Sequence, residues 1–311
     1  MMLRVAVTGV AGFIGSHLAE RLLAEGHEVV GIDAFIDSYP RPYKERNLTH
    51  LLDHRAFTFH PCDLRTEPLD SLLDGTDTVL HLAAMPGLPR SWTEFDSYAT
   101  NNFHAVQRLI EASHRRGVSR FVQASTSSVY GRRAVGDELI PTRPVSPYGV
   151  TKLAAEHLVL AYMETLGIPA VILRYFSVYG PRQRPDMAYH IFSEALLDGR
   201  PLTVFGDGGQ TRSITEVSDC VAGTIAAMAH GVPGEVYNIG GGQSIGLLEA
   251  IQVLADALGK RAEIRHEPAR PGDQRDTGAD TTKARTAFGY VAMVTPQEGL
   301  ARQALWHASL R

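Results

Sequence analysis

Cysteine is almost missing: Cys62 and Cys220 are the only two in 311 residues. So sparse a supply excludes a disulfide framework and points to a reducing, cytoplasmic setting, with both thiols in or near the core. No apolar run approaches the ~20 residues that span a bilayer. The opening MMLRVAVTGV has the apolar character of a strand, without the cleavage region of a signal peptide. Neither sign of charge prevails. The net charge is −4 with both signs interspersed, which excludes the electrostatic footprint of a nucleic-acid or acidic-membrane binder. Internal repeats and low-complexity stretches are absent too. What remains is an ordinary globular composition, 44% hydrophobic and 21% charged. Its length suits one large α/β domain with an appended lobe.

The first strand is predicted at Leu3 to Thr8, a short β-branched run of the kind buried in parallel sheets. It runs directly into GVAGFIGSHLAERLLAEG, with Gly9, Gly12 and Gly15 ahead of an amphipathic helix. Gly9 permits a tight turn, Gly12 lets backbone approach a pyrophosphate, and Gly15 lets helix and strand pack closely. The helix N-terminus then offers free N–H groups and a positive dipole end to the phosphates. A second strand, HEVVGID, ends in Asp33, 18 residues after Gly15. An acidic side chain there accepts hydrogen bonds from the adenosine ribose and repels a 2′-phosphate. Ala34 and Phe35 follow, with no arginine, so the expected cofactor is NAD.

AFTFHPCDL reads as a third strand ending at Asp63 and Leu64. Asp63 either reaches the adenine amino group or serves as a helix cap at the strand's end. The fourth strand, DTVLHLAAMPG, runs into a loop of small residues, Leu82, Ala83 and Ala84 among them, that lets backbone lie against the cofactor. Of Asn101 and Asn102, one is expected to cap the helix NNFHAVQRLIEASHRRG and the other to face the site. Arg120 to Ala124 gives a fifth strand, followed by four hydroxyl residues, Ser125 to Ser128, where open α/β sheets bind ligands. From Ile168 a sixth strand leaves the sheet for a Pro/Arg-rich loop. The expected division is 1–174 for the cofactor and 175–311 for a substrate lobe, with segments returning to the first domain. The lobe's loops hold Arg182, Arg184, Arg212, Arg270 and Asp273, and guanidinium forks on separate loops suit a diphosphate. Two amphipathic helices close the chain, with Trp306 read as packing.

Between the two parts lies SPYGVTK, where Tyr148 and Lys152 stand four residues apart on one helix face. A phenol with a pKa of ~10 is a poor base at neutral pH. A neighbouring ammonium, reinforced by a cationic nicotinamide ring, is expected to favour the phenolate. Such a tyrosine can take a proton from a sugar or alcohol hydroxyl while hydride leaves the same carbon. Among 11 tyrosines and four lysines the spacing alone is weak, and an ordinary surface pair reads the same way. Its weight comes from the glycine turn upstream.

Together TGVAGFIGSHL, HLAA, STSSVYG, YGVTK, RYFSVYGP and RPGD resemble the extended short-chain dehydrogenase/reductase family, in its NAD-dependent nucleotide-sugar epimerase and dehydratase branch. The resemblance runs from about Leu3 to about Leu300. It implies an α/β fold: a Rossmann-type doubly wound parallel sheet with a smaller C-terminal α/β substrate lobe. It also implies NAD retained through the cycle, a UDP-sugar substrate, no metal, and homodimers pairing two helices from each subunit. Thr126 matches the Ser/Thr that bonds the reacting hydroxyl, and Tyr148 with Lys152 matches the catalytic pair. Phe13, Ile14 and Tyr175 join the glycines at cofactor positions. Arg212, Arg270 and Asp273 match positions that hold the nucleotide diphosphate and ribose, and Val204 and Phe205 a segment along the uracil. Ser177 stands where asparagine frequently follows RYF, a departure at an expected substrate contact.

Within the branch, the 4,6-dehydratases resemble STDEVYG, whose aspartate and glutamate move protons at C5 and C6. Ser127 and Ser128 stand there instead, and the glutamate common in UDP-glucuronate decarboxylases is missing with them. Epimerisation at C4 needs no such acid. PRQRPDMA is similar to the loop of UDP-glucuronate 4-epimerases, which implies a sugar carboxylate near Arg184, with Arg90 as an alternative partner. A 4-keto-uronate is a β-keto acid, and it loses CO2 when the C5–carboxylate bond stands perpendicular to the ketone plane. Ser127, Ser128 or Arg184 are expected to hold it away from that alignment. The rivals are an epimerase of neutral UDP-hexoses and a non-catalytic NAD sensor; the retained Tyr148 and Lys152 speak against the sensor.

Overall fold

The computed structural model describes residues 2–269 and 276–311. The chain begins with β1 (Arg4–Thr8), α1 (Phe13–Ala24), β2 (Glu28–Ile32), α2 (Arg41–Leu52), β3 (Phe57–His60) and β4 (Thr78–His81). A short α3 (Phe95–Ala99) leads through a π-helical turn at Thr100–His104 into α4 (Ala105–Arg115), β5 (Arg120–Thr126) and β6 (Arg133–Gly136). The long α5 (Pro147–Leu166) precedes β7 (Ala170–Tyr175), β8 (Val178–Tyr179) and α6 (Ala188–Leu197). Then come β9 (Leu202–Phe205), β10 (Thr211–Ser213), β11 (Thr215–Glu216), α7 (Val217–His230) and β12 (Val236–Ile239). The remainder is β13 (Ser244–Gly246), α8 (Leu247–Leu258), β14 (Ile264–Glu267), β15 (Asp276–Ala279), α9 (Thr282–Phe288) and α10 (Pro296–Ser309).

Seven strands form one sheet in the order β12-β7-β5-β4-β1-β2-β3, and every neighbouring pair is parallel. Their near-continuous apolar character follows from burial on both faces. Val5 and Val7 point to a core shared with α1, α7 and α9, while Ala6 points to one shared with α4 and α5. Strand order reverses between β1 and β4, which opens a crevice at their carboxyl ends.

A separate apolar cluster joins α6, β9, α8 and α10 through Phe192, Leu196, Leu202, Val204, Leu254 and Leu300. The two halves of the chain exchange strands. β12 lies in the seven-stranded sheet, and β6 lies in a four-stranded sheet with β13, β10 and β15. Among the described residues no helix is long and apolar enough to cross a membrane. Both cysteines are free and buried.

Three local expectations change. The third strand stops at His60, leaving Asp63 and Leu64 in the loop beyond it. The fifth strand continues to Thr126, because Ser125 and Thr126 still pair with Arg174 and Tyr175 of β7. Neither asparagine caps a helix, since both lie inside the π-helical turn. The Asn102 amide receives the Met85 N–H at 2.7 Å and donates to the Met85 carbonyl at 3.0 Å, pinning the loop after β4.

Candidate active site

The crevice is lined by Gly9, Gly12, Phe13, Ile14 and Gly15 from the first turn, and by Asp33, Asp63 and Leu64 from the ends of β2 and β3. Leu82, Ala83, Ala84 and Asn101 line it from the next loop and turn, and Tyr148, Lys152 and Tyr175 from α5 and β7. The turn leaves no room for side chains. A Cβ on Gly15 would stand 2.2 Å from the Gly9 carbonyl oxygen, and one on Gly9 would stand 2.8 Å from the Ala83 nitrogen. Helix α1 has no side-chain cap at Gly12, so its first N–H groups face the crevice with the positive dipole end.

Asp33 is buried and accepts from the Ala11 N–H at 3.1 Å and the Phe35 N–H at 2.8 Å. Burial pushes its pKa up, against the Lys44 charge and those two hydrogen bonds. Sequence reasoning missed Lys44. Its ammonium donates to the Ile36 carbonyl at 2.7 Å and lines the crevice. The signal was there: Lys44, Asn47, Leu48 and Leu51 are the buried positions of α2, at i, i+3, i+4 and i+7. A glycine cradle, an uncapped helix and a buried strand-end carboxylate together fit a dinucleotide.

At the other end, α5 begins at Ser146, whose side chain accepts from the Gly149 N–H at 3.1 Å, with Pro147 in the first turn. Gly149 is required by approach: a Cβ there would stand 2.8 Å from the Ser128 carbonyl oxygen. Tyr148, Lys152 and Glu156 follow at four-residue steps on one side of the helix. Lys152 Nζ donates to the Ala124 carbonyl at 2.6 Å. Burial lowers the ammonium pKa to about 8, with Glu156 opposing. Burial raises the Tyr148 phenol, and the groups that oppose it are the Thr126 hydroxyl and the Arg184 charge. The Lys152 ammonium is turned to the Ala124 carbonyl.

Beneath the helix, Ser125 donates to Glu156, which is paired with Arg174 at 2.7 Å. Arg174 donates to the Tyr130 hydroxyl at 2.9 Å, which donates to Asn238 at 2.7 Å. The Thr126 oxygen accepts from the Ser128 N–H at 3.1 Å; Ser127 is buried and Ser128 partly so.

The arginines sort themselves by partner. Arg184 lines the crevice and holds Asp186 through Nε and Nη2, each at 2.9 Å. Arg182 turns the other way, to Glu20 at 2.7 Å and Ser16 at 3.2 Å, so it ties its loop to α1 instead of gripping a diphosphate. Arg90 is exposed, bidentate to Glu94, and donates to the Ser38 carbonyl at 3.1 Å, which removes it from the carboxylate role. Arg212 lies on β10, where its Nη1 donates to the Thr211 carbonyl at 2.9 Å. Asp63 receives Arg65 at 2.7 Å beside the crevice. Ser177 follows β7 with φ of 36°. Val204 is fully enclosed in the apolar cluster that joins α6, β9, α8 and α10, so its side chain offers no surface to a base, while Phe205 beside it is partly exposed. Arg270 and Asp273 lie outside the described residues.

Residues 5–240 match the model of the NAD dependent epimerase/dehydratase family. A solved UDP-glucuronic acid 4-epimerase from Bacillus cereus, in complex with UDP-glucuronic acid and NAD, is similar at a TM-score of 0.96 and 43% identity, over 99% of this chain and 100% of that one. An uncharacterised UDP-glucose epimerase of Bacillus subtilis is 44% identical, over 99% of each chain. A UDP-glucuronate 4-epimerase of Thermodesulfobacterium geofontis is 34% identical, over 96% of this chain and 94% of that one. Likeness of this extent, on a crevice built for a dinucleotide, makes the chain an NAD-dependent enzyme of the epimerase/dehydratase family.

Proposed function

We propose that the protein interconverts UDP-glucuronate and UDP-galacturonate by inverting C4 through a 4-keto intermediate. Tyr148 takes the O4 proton, with Thr126 hydrogen-bonded to the same hydroxyl and Lys152 supporting the phenolate. The crevice lined by Gly9, Gly12, Gly15 and Asp33 would hold NAD, which would supply a reversible hydride acceptor for C4 while the 4-keto sugar turns from one face to the other. Tyr148 then gives the proton back to O4, so nothing is consumed.

The observation that carries the acidic-sugar reading is the edge by which Arg184 is held. A guanidinium has two bidentate edges. Asp186 takes the one formed by Nε and Nη2, which leaves the end-on pair, Nη1 with the second hydrogen of Nη2, for a carboxylate close to Tyr148. Two parallel hydrogen bonds would fix the carboxylate plane and oppose loss of CO2. The neutral-hexose reading remains the second, favoured by the name of the Bacillus subtilis relative; in it the Arg184–Asp186 pair is incidental. The expected division at residue 174, a homodimer and a cytoplasmic setting complete the proposal, and the oligomeric state can be read by light scattering.

The reading is tested by incubating purified protein, without added NAD, with UDP-glucuronate and separately with UDP-glucose. Formation of UDP-galacturonate, with little CO2 and no turnover of UDP-glucose, is the expected result; turnover of UDP-glucose alone overturns it. Asp186→Asn is expected to raise the KM for UDP-glucuronate about tenfold, the loss of one charge-assisted pair. The same variant, and Arg184→Ala more strongly, should raise the share of decarboxylated product. An unchanged product ratio in Arg184→Ala would remove the role given to that side chain.

A further inference from the structure

Thr8, His81 and Gln123 form a polar row that has no part in the proton and hydride transfers at C4. They occupy paired positions on β1, β4 and β5, on the face covered by α4 and α5, and all three are buried. The Thr8 hydroxyl oxygen lies 2.7 Å from His81 Nδ1 and already accepts from the N–H groups of Ala83 at 3.1 Å and Leu82 at 3.2 Å. The hydroxyl's own hydrogen is then left to His81 Nδ1, so the neutral imidazole carries its hydrogen on Nε2. Among the described residues Nε2 has no partner, and neither has Gln123 Oε1, the acceptor on the next strand. The Gln123 amide nitrogen donates to the Ala124 carbonyl at 2.9 Å, which fixes Oε1 as the unpaired end. The same carbonyl receives Lys152 Nζ at 2.6 Å. Buried groups in native interiors are satisfied by protein or by ordered water, and here a donor and an acceptor without partners belong to residues paired in register on neighbouring strands.

We propose that His81 is a positioning residue for Lys152: its Nε2–H is bound to Gln123 Oε1 through one ordered water, and so keeps the Gln123 amide and the Lys152 ammonium on one carbonyl. The inference rests on the proposed catalytic role of Lys152. The row begins at the N–H groups of Leu82 and Ala83, which line the cofactor crevice, and ends at the lysine. Burial and the nearby Lys152 charge hold the imidazole pKa down to about 3, which keeps the row neutral. Without the Nε2–H, the Gln123 amide can turn its oxygen toward the ammonium and draw it off Ala124.

Two amides at position 81 separate positioning from packing. Asparagine reproduces the acceptor near Nδ1, whereas glutamine reproduces the donor near Nε2. With the UDP-sugar that the wild type turns over, His81→Asn and Gln123→Leu are each expected to lower kcat about tenfold. KM and bound NAD should be unchanged, and the double variant should be no worse than either single one. His81→Gln should stay within about threefold of wild type. Equal losses for asparagine and glutamine, or multiplying losses in the double variant, would overturn the proposal. Independently of any variant's folding, long-range 1H–15N NMR of the 15N-histidine holoenzyme should show His81 as the Nε2–H tautomer. The Nδ1–H form would sink the idea.

Discussion

Tyr148→Phe is expected to lower kcat by about 10³-fold, within the range of 10²–10⁴ that a positioned proton-transfer group supplies. The substitution removes one oxygen and leaves the ring, whose centre lies 6.2 Å from that of Tyr98 in an edge-to-face arrangement. Helix α5 keeps its Ser146 cap and its Pro147 start, so folding, bound NAD and the KM for the UDP-sugar should be retained. The measurement is product formation by chromatography, with NAD released from denatured protein as the check on the fold. A loss below tenfold would move the proton to another group, with the Thr126 hydroxyl next in line.

Breaking the Glu156–Arg174 pair is expected to have the largest effect on stability. The two side chains are only 2% and 7% exposed and meet at 2.7 Å. Removing one partner from such a pair leaves the other charge buried alone, at about 3–5 kcal/mol. Set against a total stability of about 5–15 kcal/mol, Glu156→Leu or Arg174→Met should lower the unfolding midpoint by about 10 °C, at roughly 2–4 °C per kcal/mol for a large domain. Replacing both should recover part of the loss, because the desolvation cost goes with the charges. Melts need saturating NAD throughout, since a ligand that binds only the native state shifts the midpoint. Full additivity of the two losses would show that the pair is not the unit. Glu156→Leu also removes the charge that opposes the burial of Lys152, so that ammonium's pKa should fall further below about 8.

Most of the crevice was legible because its residues are there for reasons of local chemistry. A glycine that cannot carry a Cβ, a carboxylate at a strand end and a tyrosine four residues before a lysine keep their meaning without a third dimension. The arginines did not. Arg182, Arg184 and Arg90 look alike in the sequence, yet Glu20, Asp186 and Glu94 decide what each can reach. Two of those partners are close in sequence, but whether the second edge of the fork faces a crevice or solvent depends on how the loop is carried. Asn101 lines the crevice as expected, but the expected helix cap is absent for another reason. A π-helical turn inserts one extra residue per turn without any residue preference that marks it, and such turns collect at functional sites. Lys44 was hidden by its charge, and only the spacing of the buried positions of α2 betrays it.

The strand exchange has a mechanical consequence. Because β6 is lent forward to the four-stranded sheet and β12 is returned to the seven-stranded one, the two sheets are stitched together by two separate strand exchanges. A wide hinge opening would have to unzip β12 from β7, a four-residue parallel ladder. The width of the crevice is therefore set when the chain folds, and a sugar nucleotide must be admitted by the loops at its mouth while the walls stay still.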